Sequence, residues 1–149
     1  MLGRLGQGGM ATIYLAEQHS FERKVALKVM ASHHLGDPSF SDRFLRAARI
    51  VAQLTHRHVV PVYEVGHHGD CHYMSMEYLP GGDLKGLLAK GLPLVDGILI
   101  VEQVADALNY AGAKNFIHRD IKPENILFRE DGSAVVCDFG IARSVGTST

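Results

Sequence analysis

The chain has 149 residues, 46% apolar and 21% charged, with a formal charge of −1. That is enough for one domain-sized core, and the balance excludes a disordered tail, a collagen-like chain and a coiled coil. The near-neutral pI of about 6.7 gives no basic field directed at nucleic acid.

The predicted elements begin with strands. Ala11–Ala16 is a short β-rich stretch behind a glycine cluster, and Lys24–Met30 alternates in period two. There Val25, Leu27 and Val29 share one face, Ala26 and Lys28 the other. A break is expected at Gly36-Asp37-Pro38, then a helix over 39–54 with Phe44, Ala47, Val51 and Leu54 on its inward stripe. Val59–Val65 and Cys71–Glu77 read as two more strands around a turn at 67–70. Pro80-Gly81-Gly82-Asp83 is a loop and the expected boundary between two subdomains. A second helix is predicted over 94–114, along Ile98, Val101, Ala105, Leu108 and Ala111. Ile126–Phe128 and Ala134–Val136 then form a hairpin turned by Asp131-Gly132. The layout is α+β in two unequal pieces.

No membrane segment is read: the longest apolar run, Ile98–Val101, falls far short of the ~20 residues a spanning helix needs. Arg4 is followed by glycines rather than by the apolar run of a signal peptide. Two cysteines, Cys71 and Cys137, make no disulfide framework and fit a reducing, cytoplasmic setting. His33-His34 and the group His67, His68 and His72 match no standard zinc spacing.

Three features carry chemistry. Gly6-Gln7-Gly8-Gly9 lets the backbone approach a phosphate, or forms an ordinary hairpin turn. No Gly-Lys-Ser/Thr follows, and a strand rather than a helix comes next, which argues against a P-loop or a dinucleotide fingerprint. Lys28 in mid-strand is either a phosphate clamp or a snorkelling edge lysine. The decisive run is His118-Arg119-Asp120-Ile121-Lys122-Pro123-Glu124-Asn125. Asp120 can accept a hydroxyl proton, Lys122 can neutralise a transferring phosphoryl group, and Asn125 can ligate a hard metal. Asp138-Phe139-Gly140 supplies a second carboxylate.

This ordered set resembles the protein kinase family, and within it the bacterial branch of eukaryotic-like Ser/Thr kinases. The residues carrying the resemblance are Leu5–Ala16, Val25–Lys28, Met76–Leu79, His118–Asn125 and Asp138–Gly140. It implies a kinase-like fold: a complete or nearly complete small β-rich lobe plus the first part of the helical lobe. Residues 1–79 would be the N-terminal lobe and hinge, and 80–149 the start of the C-terminal lobe. The implied cofactors are ATP and Mg²⁺. Asp120, Lys122 and Lys28 would be catalytic, and Asn125 and Asp138 would hold the metal. Leu5, Gly6 and Gly8 would cover the phosphates, which Lys28 would pair. Ile13, Ala26 and Leu127 would sandwich adenine beside a Met76 gatekeeper, held by the backbone of Glu77 and Leu79, with Asp83 at the ribose. Val51, Val62, His118 and Phe139 would stack as a spine, and Arg119 would receive an activation-loop phosphate.

The sequence departs from the family in places. Ala47 stands where the family carries the glutamate that pairs with Lys28, which predicts low intrinsic activity. Ala11 replaces the third glycine, and Gly112 stands where relatives often carry histidine. The chain ends inside the expected activation loop, so the resemblance implies a fragment of a catalytic domain, with the apolar face of 98–111 short of packing partners. The expected function is ATP-dependent phosphorylation of protein Ser/Thr hydroxyls. The alternative is a catalytically weak or inactive ATP-binding, pseudokinase-like regulatory fragment. Expected partners are a protein substrate and another kinase chain, not nucleic acid; a longer parent could be membrane-anchored.

Overall fold

In the computed structural model, residues 1–7, 11–30 and 38–139 are described, the side chains of 38–41, 43 and 47 excepted. The expected break at 36–37, Gly8, Gly9, His33-His34 and residues 140–149 lie outside them. The chain divides into two compact units: 1–53 with 61–78, and 54–60 with 79–140.

Among the described residues the first unit is a five-stranded antiparallel sheet with one α-helix and a short 3-10 turn at His19–Phe21. Its strands are β1 (Gly3–Gln7), β2 (Ala11–Gln18), β3 (Arg23–Met30), β4 (Val62–His68) and β5 (Cys71–Glu77), in the order β1-β2-β3-β5-β4. The alternation read in β3 reflects its central place, paired to β2 on one side and β5 on the other. Helix α1 (Pro38–Ala52) buries Phe44, Ala48 and Val51, and Phe44 stacks on His72 of β5 at 5.6 Å. Of the expected inward stripe, Phe44 and Val51 are buried in the helix and Leu54 beyond its end. Ala48 was not anticipated, and the Ala47 side chain lies outside the described residues.

The strand expected over 59–65 begins later, at Val62. Pro61 has no N–H for a ladder, and the valines before it are engaged elsewhere. Val60 N–H donates to the Val136 carbonyl (3.1 Å), Val136 N–H donates to the His58 carbonyl (2.8 Å), and Val59 bridges Val136. Residues 58–60 therefore belong to the second unit.

That unit holds α2 (Leu84–Lys90), α3 (Leu94–Ala113) and the hairpin β6 (Ile126–Phe128) with β7 (Ala134–Val136). Its core includes Val59, Ala107, Ala111, Ala134, Val135, Val136 and Phe139, each at most 1% exposed. The sequence reading missed α2. Its signal was Asp83, whose Oδ1 accepts the Gly86 N–H at 2.8 Å as an N-cap. Gly81 is required where the loop meets β6: its N–H donates to the Phe128 carbonyl, and a Cβ there would sit 2.6 Å from that oxygen. In α3 the expected apolar stripe is buried only at its C-terminal end: Ala111 is buried and Leu108 half-buried, whereas Ile98, Val101 and Ala105 are exposed, and Ile100 and Ala107, outside that stripe, are buried. No helix of the described residues is long and apolar enough to cross a membrane.

Candidate active site

Each unit gathers part of the expected set. In the first, register does the work. Gly6 lies opposite Ile13, Ile13 opposite Lys28, and Ala26 opposite Met76. Opposed residues share a face and residues two apart share it too, so these five side-chain positions fall on one face of the sheet. Leu5 falls at the irregularity between Arg4 and Gly6 and is exposed. Glu77 lies opposite Val25, on the other row, and its N–H donates to the Pro61 carbonyl at 3.0 Å. Ala11 pairs with Met30 at the start of β2. Val51 and Val62 are also in this unit.

The second unit holds Leu79, Asp83, Asp120, Lys122, Asn125, Leu127 and Asp138. Asp83 and Leu127 form an isolated bridge, so these two expected nucleotide contacts are neighbours. One Asp83 oxygen is spent on the α2 cap. The backbone N–H of Leu79 has no partner among the described residues.

The loop 118–125 is organised by a buried histidine. The His118 Nε2–H donates to the Cys137 carbonyl at 2.7 Å, and Nδ1 accepts the Asp120 N–H at 3.1 Å. Both ring nitrogens are committed, which fixes the neutral tautomer. Cys137 N–H in turn donates to the Asn125 carbonyl at 2.9 Å. Both backbone groups of Cys137 thus tie the segment ahead of Asp138 to the loop that carries Asp120 and Asn125. The sequence gives no sign of this role of Cys137, which uses only its backbone and leaves no side-chain signal.

The ties hold two non-glycine residues in left-handed backbone, Arg119 (φ 69°) and Asp138 (φ 54°). Such conformations persist only where the surroundings over-determine them. Asn125 is 5% exposed, and its Nδ2 donates to the Asp120 carbonyl (2.9 Å) and to Asp120 Oδ2 (3.3 Å). The amide nitrogen is therefore spent and Asn125 Oδ1 remains as an acceptor. Lys122 Nζ lies 3.5 Å from Asp120 Oδ2. A carboxylate beside an ammonium, a spare amide oxygen and a second carboxylate form the hard-oxygen donor set that suits Mg²⁺. Among the described residues no group of three His, Cys, Asp or Glu is placed to hold a metal by protein ligands alone. The donor chemistry fits Mg²⁺, which usually takes one or two carboxylates and completes its shell with water and phosphate.

Phe139 closes the back of this loop. It is 1% exposed, with its ring 4.6 Å from His118 and 5.4 Å from Phe116. Burial pulls the His118 pKa below the ordinary histidine value, against the opposing pull of the Cys137 carbonyl and the Asp120 and Asp138 charges. His72 is lowered too, by burial and then by nearby His67. As pH falls below the ordinary value of 6.5, the unfolded chain takes up protons that these folded rings resist. Stability present above that pH is lost on acidification. The melting temperature is expected to fall steadily from about pH 7 to about pH 5.5; a rise over that interval would contradict the assignment.

The comparisons with known proteins agree with this geometry. A model described as "Protein kinase domain" matches residues 1–149. The chain is 38% identical over 147 residues to the serine/threonine-protein kinase PrkC of Bacillus subtilis, covering 97% of the chain and 23% of that protein. It is 37% identical over 148 residues to the serine/threonine-protein kinase PknL of Mycobacterium tuberculosis, covering 98% of the chain and 37% of that protein. The chain therefore spans well under half the length of these relatives. Among solved structures, the kinase domain of M. tuberculosis PknI superimposes with a TM-score of 0.80 at 32% identity. That match covers 93% of this chain and 58% of that one. The five-stranded antiparallel sheet with its helix, and the loop 118–125 locked to the segment before Asp138, are thus parts of a kinase fold, and the chain belongs to the protein kinase family.

Proposed function

We propose that this chain carries the ATP- and Mg²⁺-handling residues of a Ser/Thr protein kinase, which transfers the ATP γ-phosphoryl group to protein hydroxyls in the cytoplasm. Residues 1–79 are assigned as its N-terminal lobe and hinge, and 80–149 as the start of the C-terminal lobe. The observation that carries the reading is the tie between the two motif segments, His118 to the Cys137 carbonyl and Cys137 N–H to Asn125. It brings Asp120, Lys122, Asn125 and Asp138 into one unit.

In this reading Asp120 accepts the proton of the attacking hydroxyl, and Lys122 offsets charge on the transferring group. Asn125 Oδ1 and the Asp138 carboxylate hold Mg²⁺, which supplies charge neutralisation at the phosphates. Lys28 pairs the phosphates under the backbone of Leu5, Gly6 and Gly8. Ile13, Ala26 and Leu127 flank the adenine next to Met76, and the backbone of Glu77 and Leu79 supplies its polar contacts. Asp83 meets the ribose with the oxygen not used in its cap. Partners are a Ser/Thr protein substrate and a second kinase chain.

The test is a thermal melt of the chain with and without Mg²⁺-ATP, beside Lys28→Met. Ligand at ~100 times Kd adds about 2.7 kcal/mol to a protein that binds it only when folded. The midpoint is expected to rise with Mg²⁺-ATP and to rise much less in the variant. Equal rises in both chains would remove Lys28 from the assignment, and no rise would refute nucleotide binding.

Ala47 favours a second reading, in which the chain binds ATP but transfers phosphate poorly. Misplacement of a reacting group by ~1 Å can cost roughly 10²-fold in rate, and an alanine cannot hold Lys28 in place. Ala47→Glu is then expected to raise phosphotransfer at unchanged Mg²⁺-ATP affinity. An unaltered rate would show that the missing glutamate is not what limits the chain.

A further inference from the structure

Beneath α1 the sheet carries a histidine that the proposed chemistry does not use. We propose that His72 is an acid release for this helix: a proton taken up by its ring frees α1 from the sheet while the sheet stays folded. This concerns only the first unit and does not depend on nucleotide binding.

Helix α1 is seated through one row of side chains. Phe44, Ala48 and Val51 are spaced four and three apart, so they share a face, and each is at most 2% exposed. The helix packs on β4. Phe44 stacks on His72 of β5, with the ring centroids 5.6 Å apart and 27° between the planes. His72 lies opposite Met30 of β3 and His67 of β4. It is 6% exposed, nearly as buried as Met30 and Met74 beside it. The largest side chain in the seat of α1 thus rests on a ring that can take a proton.

The charges around that ring do not favour a cation. Opposed residues share a face of the sheet, as do residues two apart. On the face of His72, β3 contributes Lys28, opposite Met74, and β4 contributes His67, whose ring meets His72 edge-on at 6.1 Å. Both are basic. Glu17 and Lys24 fall on this face too, but they oppose each other six residues, or roughly 20 Å, along β3 from Met30. Glu64 and Tyr73 belong to the other row, where the Tyr73 hydroxyl donates to Glu64 Oε1 at 2.8 Å. Asp42, Arg46 and Arg49 of α1 are exposed, as are His68 and Asp70 at the β4–β5 turn. Burial first, and then His67, lower the His72 pKa from the ordinary histidine value.

A proton on His72 therefore places an unpaired charge in a buried space among basic groups. Strand β5 cannot carry it out to water, because β5 is hydrogen-bonded to β3 on one side and to β4 on the other. Helix α1 meets the sheet through side chains, so its release breaks packing and no ladder. That makes the helix the element that opens locally. Stacking of an imidazolium on the Phe44 ring is attractive, but this gain is smaller than the cost of keeping the charge buried.

Hydrogen exchange of the 149-residue chain at pH 7 and pH 5.5, corrected for the chemical exchange rate, tests the proposal. The Ala48 and Val51 amides of α1 are expected to exchange ahead of the β3 amides at both pH values. Their protection is expected to fall about four- to eightfold on acidification, the range set by one proton bound in the released state with the ordinary pKa of 6.5. His72→Phe keeps a ring under Phe44 and cannot protonate, so its α1 protection is expected to change less than twofold. If that variant does not give a folded spectrum, the native chain decides: the Ala48 methyl resonance is expected to titrate with the midpoint of the His72 ring. An α1 protection equal to that of β3 would overturn the proposal, since the helix would then open only with the sheet. So would an α1 protection that holds or rises at pH 5.5, the same fall in His72→Phe, or an Ala48 methyl that does not follow His72.

Discussion

Asp120→Asn is expected to lower phosphotransfer about 10²–10⁴-fold, the usual worth of a positioned general base, while leaving Mg²⁺-ATP affinity within about threefold. The asparagine is nearly isosteric, and most of what positions residue 120 is backbone. Its N–H donates to His118 Nδ1, and its carbonyl accepts from Asn125 Nδ2. Those bonds survive the substitution. What disappears is a negative acceptor 3.5 Å from Lys122 Nζ, and with it the destination of the hydroxyl proton. The measurement is incorporation of labelled γ-phosphate into a basic Ser/Thr protein, with Mg²⁺-ATP binding followed separately. A variant that kept its rate within about threefold would move the base elsewhere. One that lost nucleotide affinity in parallel would make Asp120 a binding residue instead.

The grouping of the expected site residues was more legible than the fold around them: Asp120, Lys122 and Asn125 stand in one short run that a single loop holds together, and of these only Asn125 is buried. The strand register was legible as well. Alternation at 24–30 fixes which residues share a face, so Ala26 and Lys28 could be put together before Ile13 and Met76 were known to lie opposite them. What the sequence hid depended on tertiary partners. Val59 and Val60 look like the start of a strand by composition, but Pro61 breaks the ladder and β7 takes their hydrogen bonds. In α3 nearly every face carries apolar residues, so periodicity placed Ala111 inward but could not say that Ile100 and Ala107, rather than Ile98 and Val101, would be buried with it. Helix α2 was missed because seven residues with a glycine inside have weak intrinsic helicity. Its cap is visible in Asp83, which ends the loop signal of residues 80–83. The use of both backbone groups of Cys137 has no side-chain signature at all.

Phe139→Ala is expected to cost about 3–5 kcal/mol of stability, the range for emptying a buried aromatic site. Against a typical total of about 5–15 kcal/mol, that is enough to unfold a large fraction of molecules at moderate temperature. The side chain is 1% exposed, and its ring lies against both His118 and Phe116. Removing it lets water reach the His118–Cys137 hydrogen bond, one of the ties that hold Arg119 and Asp138 in left-handed backbone. Function should therefore fall with the fold: Mg²⁺ affinity is expected to weaken because Asp138 loses its fixed geometry, although its carboxylate is untouched. Phe139→Leu, which keeps most of the volume, separates the two effects. It should cost less than about 1.5 kcal/mol and leave Mg²⁺-ATP binding measurable. Urea unfolding of the three chains checks the first part, and Mg²⁺ dependence of ATP binding in the leucine variant checks the second. A cost below about 1 kcal/mol for the alanine variant, well under the range for an emptied aromatic site, would mean that the ring is not what braces the loop. The bracing would then fall to the two Cys137 hydrogen bonds alone.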